Sequence, residues 1–174
     1  MRPINPVDEQ RSSIEKYLSL VNRQLSTIMS CILNIETSTS VCSVALSADG
    51  EVLFEKSSFE GPSHAALLGV YAEEAIAVTK EKGLKLDAVA VSSGPGSYTG
   101  LRIGVSVAKG LCFGYGIPLI SIPTLEVLAV AALEQQNNAS DCLYCAMLDA
   151  RRMEVYATIY DVNLKTVRET SADI

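Results

Sequence analysis

Residues 89–110 read VAVSSGPGSYTGLRIGVSVAKG, and together with the Leu86-Asp87-Ala88 that precedes them they decide the fold. The run from Leu86 to Gly94 is almost continuously apolar or small, the pattern of a strand buried on both faces of a parallel sheet. Parallel strands need a long crossover, usually a helix. The residues after the loop supply one, with Thr99 as a candidate cap and an end near Tyr115. The unit is therefore strand, Gly-rich loop, helix, and the class is α/β.

Such a loop invites a phosphate, yet it matches none of the phosphate or nucleophile motifs. A dinucleotide fingerprint needs a third Gly where Thr99 stands, and a P-loop needs Gly-Lys-Ser or Gly-Lys-Thr after the loop. The Gly-x-Ser-x-Gly elbow of serine hydrolases is missing as well. Two readings stand open. Amides at the helix N-terminus can bind an anion, or Gly and Pro shape a tight crossing. Gly94, Pro95, Gly96, Ser97, Tyr98, Thr99, Gly100 and Arg102 are the candidate residues for an anion or partner contact.

Small residues recur along that helix at four-residue spacing twice over, as Gly100, Gly104, Ala108 and as Ser106, Gly110, Gly114. A helix-interior Gly costs about 1 kcal/mol relative to Ala, so these positions imply close approach of another backbone. The expectation is that the loop aims this small-residue helix outward at a partner.

Outward from this unit the pattern is regular. Toward the N-terminus lie CILNIE (31–36), VCSVALS (41–47) and VLFEKSS (52–58), three strands in meander, the last two joined by an Asp49-Gly50 turn. A helix over 63–82 follows, with Pro62 and Ser63 as start signals and Gly83 as stop; its apolar residues spread over more than one stripe, so it is covered on two sides. After the central unit come the strand IPLISI, a helix from Thr124 to about residue 136, a break at NNAS, and the strands CLYCAMLDA and MEVYATIYD joined by a tight connection, with a third strand beginning in the tail. The order β-β-β-α-β-α-β-α precedes a second hairpin that resembles the first, each with a strand ending in an acid, Glu36 or Asp149. Residues 29–136 read as one lobe of a mixed sheet. Residues 137–174 read as the truncated beginning of a similar second lobe. Residues 1–28, polar apart from an amphipathic run near Ile14–Leu25, read as an appendage.

The 174 residues carry a formal net charge of −6, which opposes grip on a polyanion by this chain alone. No apolar run reaches the roughly 18 residues of a membrane span, and the five scattered cysteines suit reduced thiols in a cytoplasmic protein. Cys142 and Cys145 form a lone Cys-x-x-Cys without the second pair a zinc site needs, and core packing is the better reading. Asn138-Ala139-Ser140 matches a glycosylation sequon that has no meaning in the cytoplasm. His64 is the single histidine; a triad using it with Ser97 or a Cys lacks an identifiable third group. Glu36, at a strand end, is either one carboxylate of a Mg²⁺ site or a capping acid.

The segments ILNIETSTSVCSVAL (32–46), SHAALL (63–68), VSSGPGSYTGLRIGVSVAKGL (91–111), IPLISIPTLEVLA (117–129) and LDARRMEVYATIY (148–160) resemble the TsaB (YeaZ) family, over about residues 29–161. The resemblance implies the actin, Hsp70 and sugar-kinase (ASKHA) architecture. It also implies a non-catalytic, dimer-forming pseudoenzyme subunit that supports TsaD in the threonylcarbamoylation of adenosine 37 of tRNA. TsaD is the implied heterodimer partner, TsaE a further member of the complex, a homodimer the state of the subunit alone, and tRNA is met only through the complex. No cofactor or metal is implied: the paired His of TsaD-type relatives, on the helix after the fifth strand, have no counterpart in SIPTLEVLAVAA. The expected interface is the helices over 63–82 and 100–115, through Leu67, Leu68, Tyr71, Gly104, Ala108 and Leu111. The competing readings are a metal-independent peptidase or small-molecule kinase of the same architecture, and a stand-alone RNA-binding module.

Overall fold

The computed structural model describes residues 30–59, 64–135 and 142–174. The expected 1–28 appendage, the Pro62-Ser63 helix start, the NNAS break and the sequon lie outside these residues. Strands β1 (Cys31–Glu36), β2 (Cys42–Ala48) and β3 (Glu51–Ser58) form the antiparallel meander, followed by α1 (His64–Glu81), β4 (Ala88–Ser92), α2 (Tyr98–Tyr115), β5 (Leu119–Ile122) and α3 (Thr124–Gln135). Strands β6 (Tyr144–Arg151), β7 (Glu154–Tyr160) and β8 (Thr166–Asp173) form a second meander. The first sheet has the order β3-β2-β1-β4-β5, with β1, β4 and β5 parallel to one another and β2 and β3 antiparallel. This is the mixed α/β sheet of the actin/Hsp70/sugar-kinase architecture.

Alternation along the central strands sends side chains to two cores. Leu33, Ile35, Val44, Leu46, Val89 and Val91 face α1 and α2, which lie side by side on one face of the sheet. Ile32, Ala88, Ala90 and Ile122 face the other way and meet Val127 of α3. From its far side α3 offers Leu125 and Ala129 to Tyr144, Ala146 and Tyr160 of the second sheet. Among the described residues α3 thus packs against both sheets. All ten of the largest fully buried side chains are aliphatic and branched, as a core built on parallel strands requires.

Three local details differ from the sequence expectation. Ser97, not Thr99, caps α2, its hydroxyl accepting from the Gly100 amide at 3.3 Å. Thr124 opens α3, but its buried hydroxyl has no partner among the described residues; the Pro123 carbonyl accepts from the amides of Glu126 and Val127 instead. Cys142 and Cys145 are exposed, contrary to core packing. Tyr144 and Ala146 take the buried face of β6, so pleating turns Cys145 outward, and Cys142 precedes the strand. Cys31 and Cys42 are buried, and burial pushes both thiols up to about 11, with the Asp87 and Asp49 charges adding to the effect at Cys31.

The two tight hairpins use one turn with different chemistry. Ala48 pairs Glu51 around Asp49-Gly50, whose φ angles are 53° and 90°. Arg151 pairs Glu154 around Arg152-Met153, whose φ angles are 55° and 70°. Positive φ at both central positions is the signature of the type I′ turn, which favours Asn-Gly or Asp-Gly. Arg151, at φ 67°, makes three consecutive left-handed residues without a glycine among them. Each such residue costs about 1–2 kcal/mol.

Replacing Arg152-Met153 by Asn-Gly is therefore expected to stabilise the chain by about 2 kcal/mol, read as a rise in the urea midpoint at unchanged slope. A midpoint at or below that of the parent would refute the strain. At pH 8 only about one thiol in a thousand of Cys31 or Cys42 is ionised. Maleimide should label Cys142 and Cys145 in the native chain and reach Cys31 and Cys42 only on unfolding, as peptide mapping would show.

Candidate functional site

The β1–β2 turn is where the candidate residues converge. At its start, Glu36 accepts from the Ser38 amide at 2.6 Å through Oε1 and from the Ser92 hydroxyl through Oε2. Each carboxylate oxygen thus accepts one hydrogen bond, and Glu36 ties the β1–β2 turn to the end of β4 in the manner of a capping acid. The same device recurs in the second hairpin, where Asp149 accepts from the Arg151 amide at 2.7 Å. The paired acids noted in the sequence perform the same local task.

The glycine loop closes over this turn. The Ser97 amide donates to the Ser38 carbonyl at 2.6 Å, and a Cβ on Gly96 would overlap that carbonyl. A Cβ on Gly100 would overlap the Thr37 carbonyl, and one on Gly104 the Thr37 hydroxyl oxygen. Gly94 and Gly96 hold φ angles of 107° and 155°, which bend the chain from β4 onto the turn. The loop glycines are explained by the close approach of this chain's own backbone. The Ser97 amide is bonded to the Ser38 carbonyl and the Gly100 amide to the Ser97 hydroxyl, while Leu101 makes the first bond of the helix to the Ser97 carbonyl. Arg102 lies over the exposed Tyr98 ring at 5.4 Å.

His64 completes the enclosure from α1. Its Nε2 donates toward the Thr39 and Val41 carbonyls at 3.1 and 3.2 Å. Two carbonyl acceptors fix the proton on that nitrogen. The ring is a buried tether between a helix and a turn, and neither Ser97 nor a cysteine is bonded to it. Among the described residues no three His, Cys, Asp or Glu side chains come together as a metal cluster.

The expected interface residues divide sharply. Leu68, Tyr71, Gly104 and Ala108 are buried within this chain and have no surface to offer a partner. Leu67 and Leu111 are half-buried against the same core. The first small-residue stripe of α2 thus faces inward, because Thr37 occupies the space beside Gly100 and Gly104. The signal that separates the stripes is their flanks: Ile103, Val107 and Leu111 accompany the inner one, Arg102, Lys109 and Phe113 the outer. On the outer faces Gly69 of α1 and Gly110 and Gly114 of α2 have open space where a Cβ would stand. Beside them Val70 is 49% and Phe113 93% exposed.

Gly104→Ala should destabilise the chain by about 2 kcal/mol or more through overpacking. In a Thr37→Ala background the same change should cost nearly nothing, because only a hydroxyl obstructs it. Gly100→Ala should gain no such rescue, since its neighbour is a backbone carbonyl. Equal penalties for Gly104→Ala in both backgrounds, measured by urea unfolding, would rule out the packing described.

The family model described as TsaD, tRNA N6-adenosine threonylcarbamoyltransferase, matches residues 60–174. The chain is 37% identical over 131 residues to the tRNA threonylcarbamoyladenosine biosynthesis protein TsaB of Escherichia coli, covering 74% of this chain and 54% of that protein. It is 38% identical over 128 residues to the protein of the same name from Haemophilus influenzae, covering 72% and 51%. The chain spans about half the length of these curated relatives. The solved structure of YeaZ from Pseudomonas aeruginosa superposes with a TM-score of 0.67 at 31% identity, over 83% of this chain and 67% of that one. Shared sequence and shared fold agree: the chain belongs to the TsaB/YeaZ family.

Proposed function

We propose that this chain is a non-catalytic, cytoplasmic accessory subunit that binds the threonylcarbamoyltransferase acting on adenosine 37 of tRNA, and that it pairs with a second copy of itself when alone. The names of its relatives support the pathway. The contact is made by the outer faces of α1 and α2. The observation that carries this reading is the trio Gly69, Gly110 and Gly114, which have no packing reason among the described residues. A helix-interior Gly is unfavourable by about 1 kcal/mol, whereas Gly96, Gly100 and Gly104 each have an intrachain neighbour that requires them. Glycines flanked by Val70 and Phe113 on two adjacent helices let another helix approach closely and bury both apolar side chains. The structural hydrogen bonds made by Glu36 and the tethering of His64 favour a supporting role over a chemical one. The negative net charge supports tRNA being met through the complex.

Gly110→Leu is the discriminating variant. In the monomeric chain, diluted below the concentration at which copies pair, it fills open space and should raise stability by about 1 kcal/mol. Against the partner it should lower affinity at least about tenfold, as should Phe113→Glu, measured by calorimetric titration with the transferase and by light scattering of the chain alone. Unchanged affinity and unchanged mass for both variants would exclude these faces as the interface.

A further inference from the structure

The face of β2 turned away from α1 is buried, yet no described helix or second sheet packs extensively on it. Pleating sends Ser43, Ala45 and Ser47 to that face, opposite Cys42, Val44 and Leu46, which meet α1 and α2. The three are 2%, 1% and 0% exposed. The described elements that pack extensively on β2 are β1, β3 and, on the opposite face, α1. Ala45 accordingly belongs to none of the three hydrophobic clusters, and the same holds for Val130 and Ala131, which are buried on α3. Asn34 shares the face. Its Nδ2 donates to the Ser47 hydroxyl at 3.3 Å, while its Oδ1 is buried without a partner among the described residues. A sheet face loses its water only where another layer covers it, so a further element lies over β2 beside α3.

We infer that residues 14–28 form the helix that covers this face. The burial belongs to the chain by itself, so a segment of this chain supplies the cover. Three stretches lie outside the described residues, 1–29, 60–63 and 136–141. The two internal ones join neighbouring elements and are too short to make a helical layer. The first contains IEKYLSLVNRQLSTI, in which Ile14, Leu18, Val21, Leu25 and Ile28 recur at alternating spacings of four and three and so fall on one stripe. Lys16, Ser19 and Arg23 fall on the opposite side. Fifteen residues of helix run about 22 Å, and the seven residues of β2 run about 23 Å. The run also ends beside its target: only Met29 and Ser30 separate Ile28 from Cys31, which pairs with Ala48 at the end of β2. Ser43, Ala45 and Ser47 are small, so a helix can settle close to the strand. This cover lies across the sheet from the outer faces of α1 and α2 and leaves them free; it does not rest on the function proposed above.

The test labels the full chain carrying Ser43→Cys with maleimide and maps the modified positions, with Cys42, on the α1 face, as the internal control. In that parent both thiols should be protected. Adding Leu18→Ala with Leu25→Ala should speed labelling at position 43 at least about tenfold over its own parental rate, while the rate at Cys42 stays parental. Lys16→Ala with Arg23→Ala, on the opposite side of the run, should leave both rates parental. A rate at position 43 that the two leucine changes do not alter would overturn the inference. So would an equal rise at both positions, because a cover over one face cannot uncover the other. Labelling at position 43 in the parent as fast as at the exposed Cys142 would overturn it as well.

Discussion

Residues 37 and 38 occupy the space beneath the first two turns of α2, and most of the structure is arranged around that occupation. Their backbone accepts from the loop, their volume requires the glycines at 96, 100 and 104, and their flanking acid ties β1 to β4. His64 brings α1 to the same turn. His64 and the stretch from Ser92 to Gly104, distant in sequence from the turn and from each other, thus meet on a few residues, and the interactions are mainly hydrogen bonds and steric fit. Individually each bond contributes only about 1 kcal/mol; together they fix where α2 lies on the sheet, and hence which side of it faces outward.

The orientation of α2 separates structure from recognition. Its inner side is filled by this chain, so its small residues there are a packing necessity. Its outer side has small residues without that necessity, and it continues onto α1. The helix α3 plays a comparable bridging part, with Val127 on the first sheet and Leu125 and Ala129 on the second.

Much of this was legible in the residues alone. Apolar continuity over Leu86–Ser92, beside the alternation of β1 and β2, is enough to give a mixed sheet, because periodicity directly reports how many faces of a strand are covered. The Asp49-Gly50 turn is readable from turn chemistry, and the helix spans lie close to those expected, although neither Thr99 nor Thr124 supplies the cap bond. Helix phase is different. Gly100, Gly104 and Ala108 look the same as Ser106, Gly110 and Gly114 until one asks what fills the space beside them, and Thr37 is 63 residues away from the first of these in the chain. Ser97 rather than Thr99 caps α2 for a related reason: the bond from Ser97 to Ser38 sets where the helix can begin. The outward turn of Cys145 follows from which neighbours claim the core. The strain at Arg151–Met153 has no sequence signal except the absence of the glycine that a two-residue turn favours.

The tie between Glu36 and Ser92 spans 56 residues, as does that between the Cys31 amide and Asp87. Strands β1 and β2 can pair as soon as both have left the ribosome, but β1 is central and its second neighbour in the sheet is β4. During synthesis the hairpin therefore waits with one edge open, and an open edge carrying Ile32, Leu33 and Ile35 is a template for pairing with other chains. That edge closes only when β4 has been made and has paired with β1, so the separation of the two strands along the chain leaves the nascent hairpin open to aggregation until then.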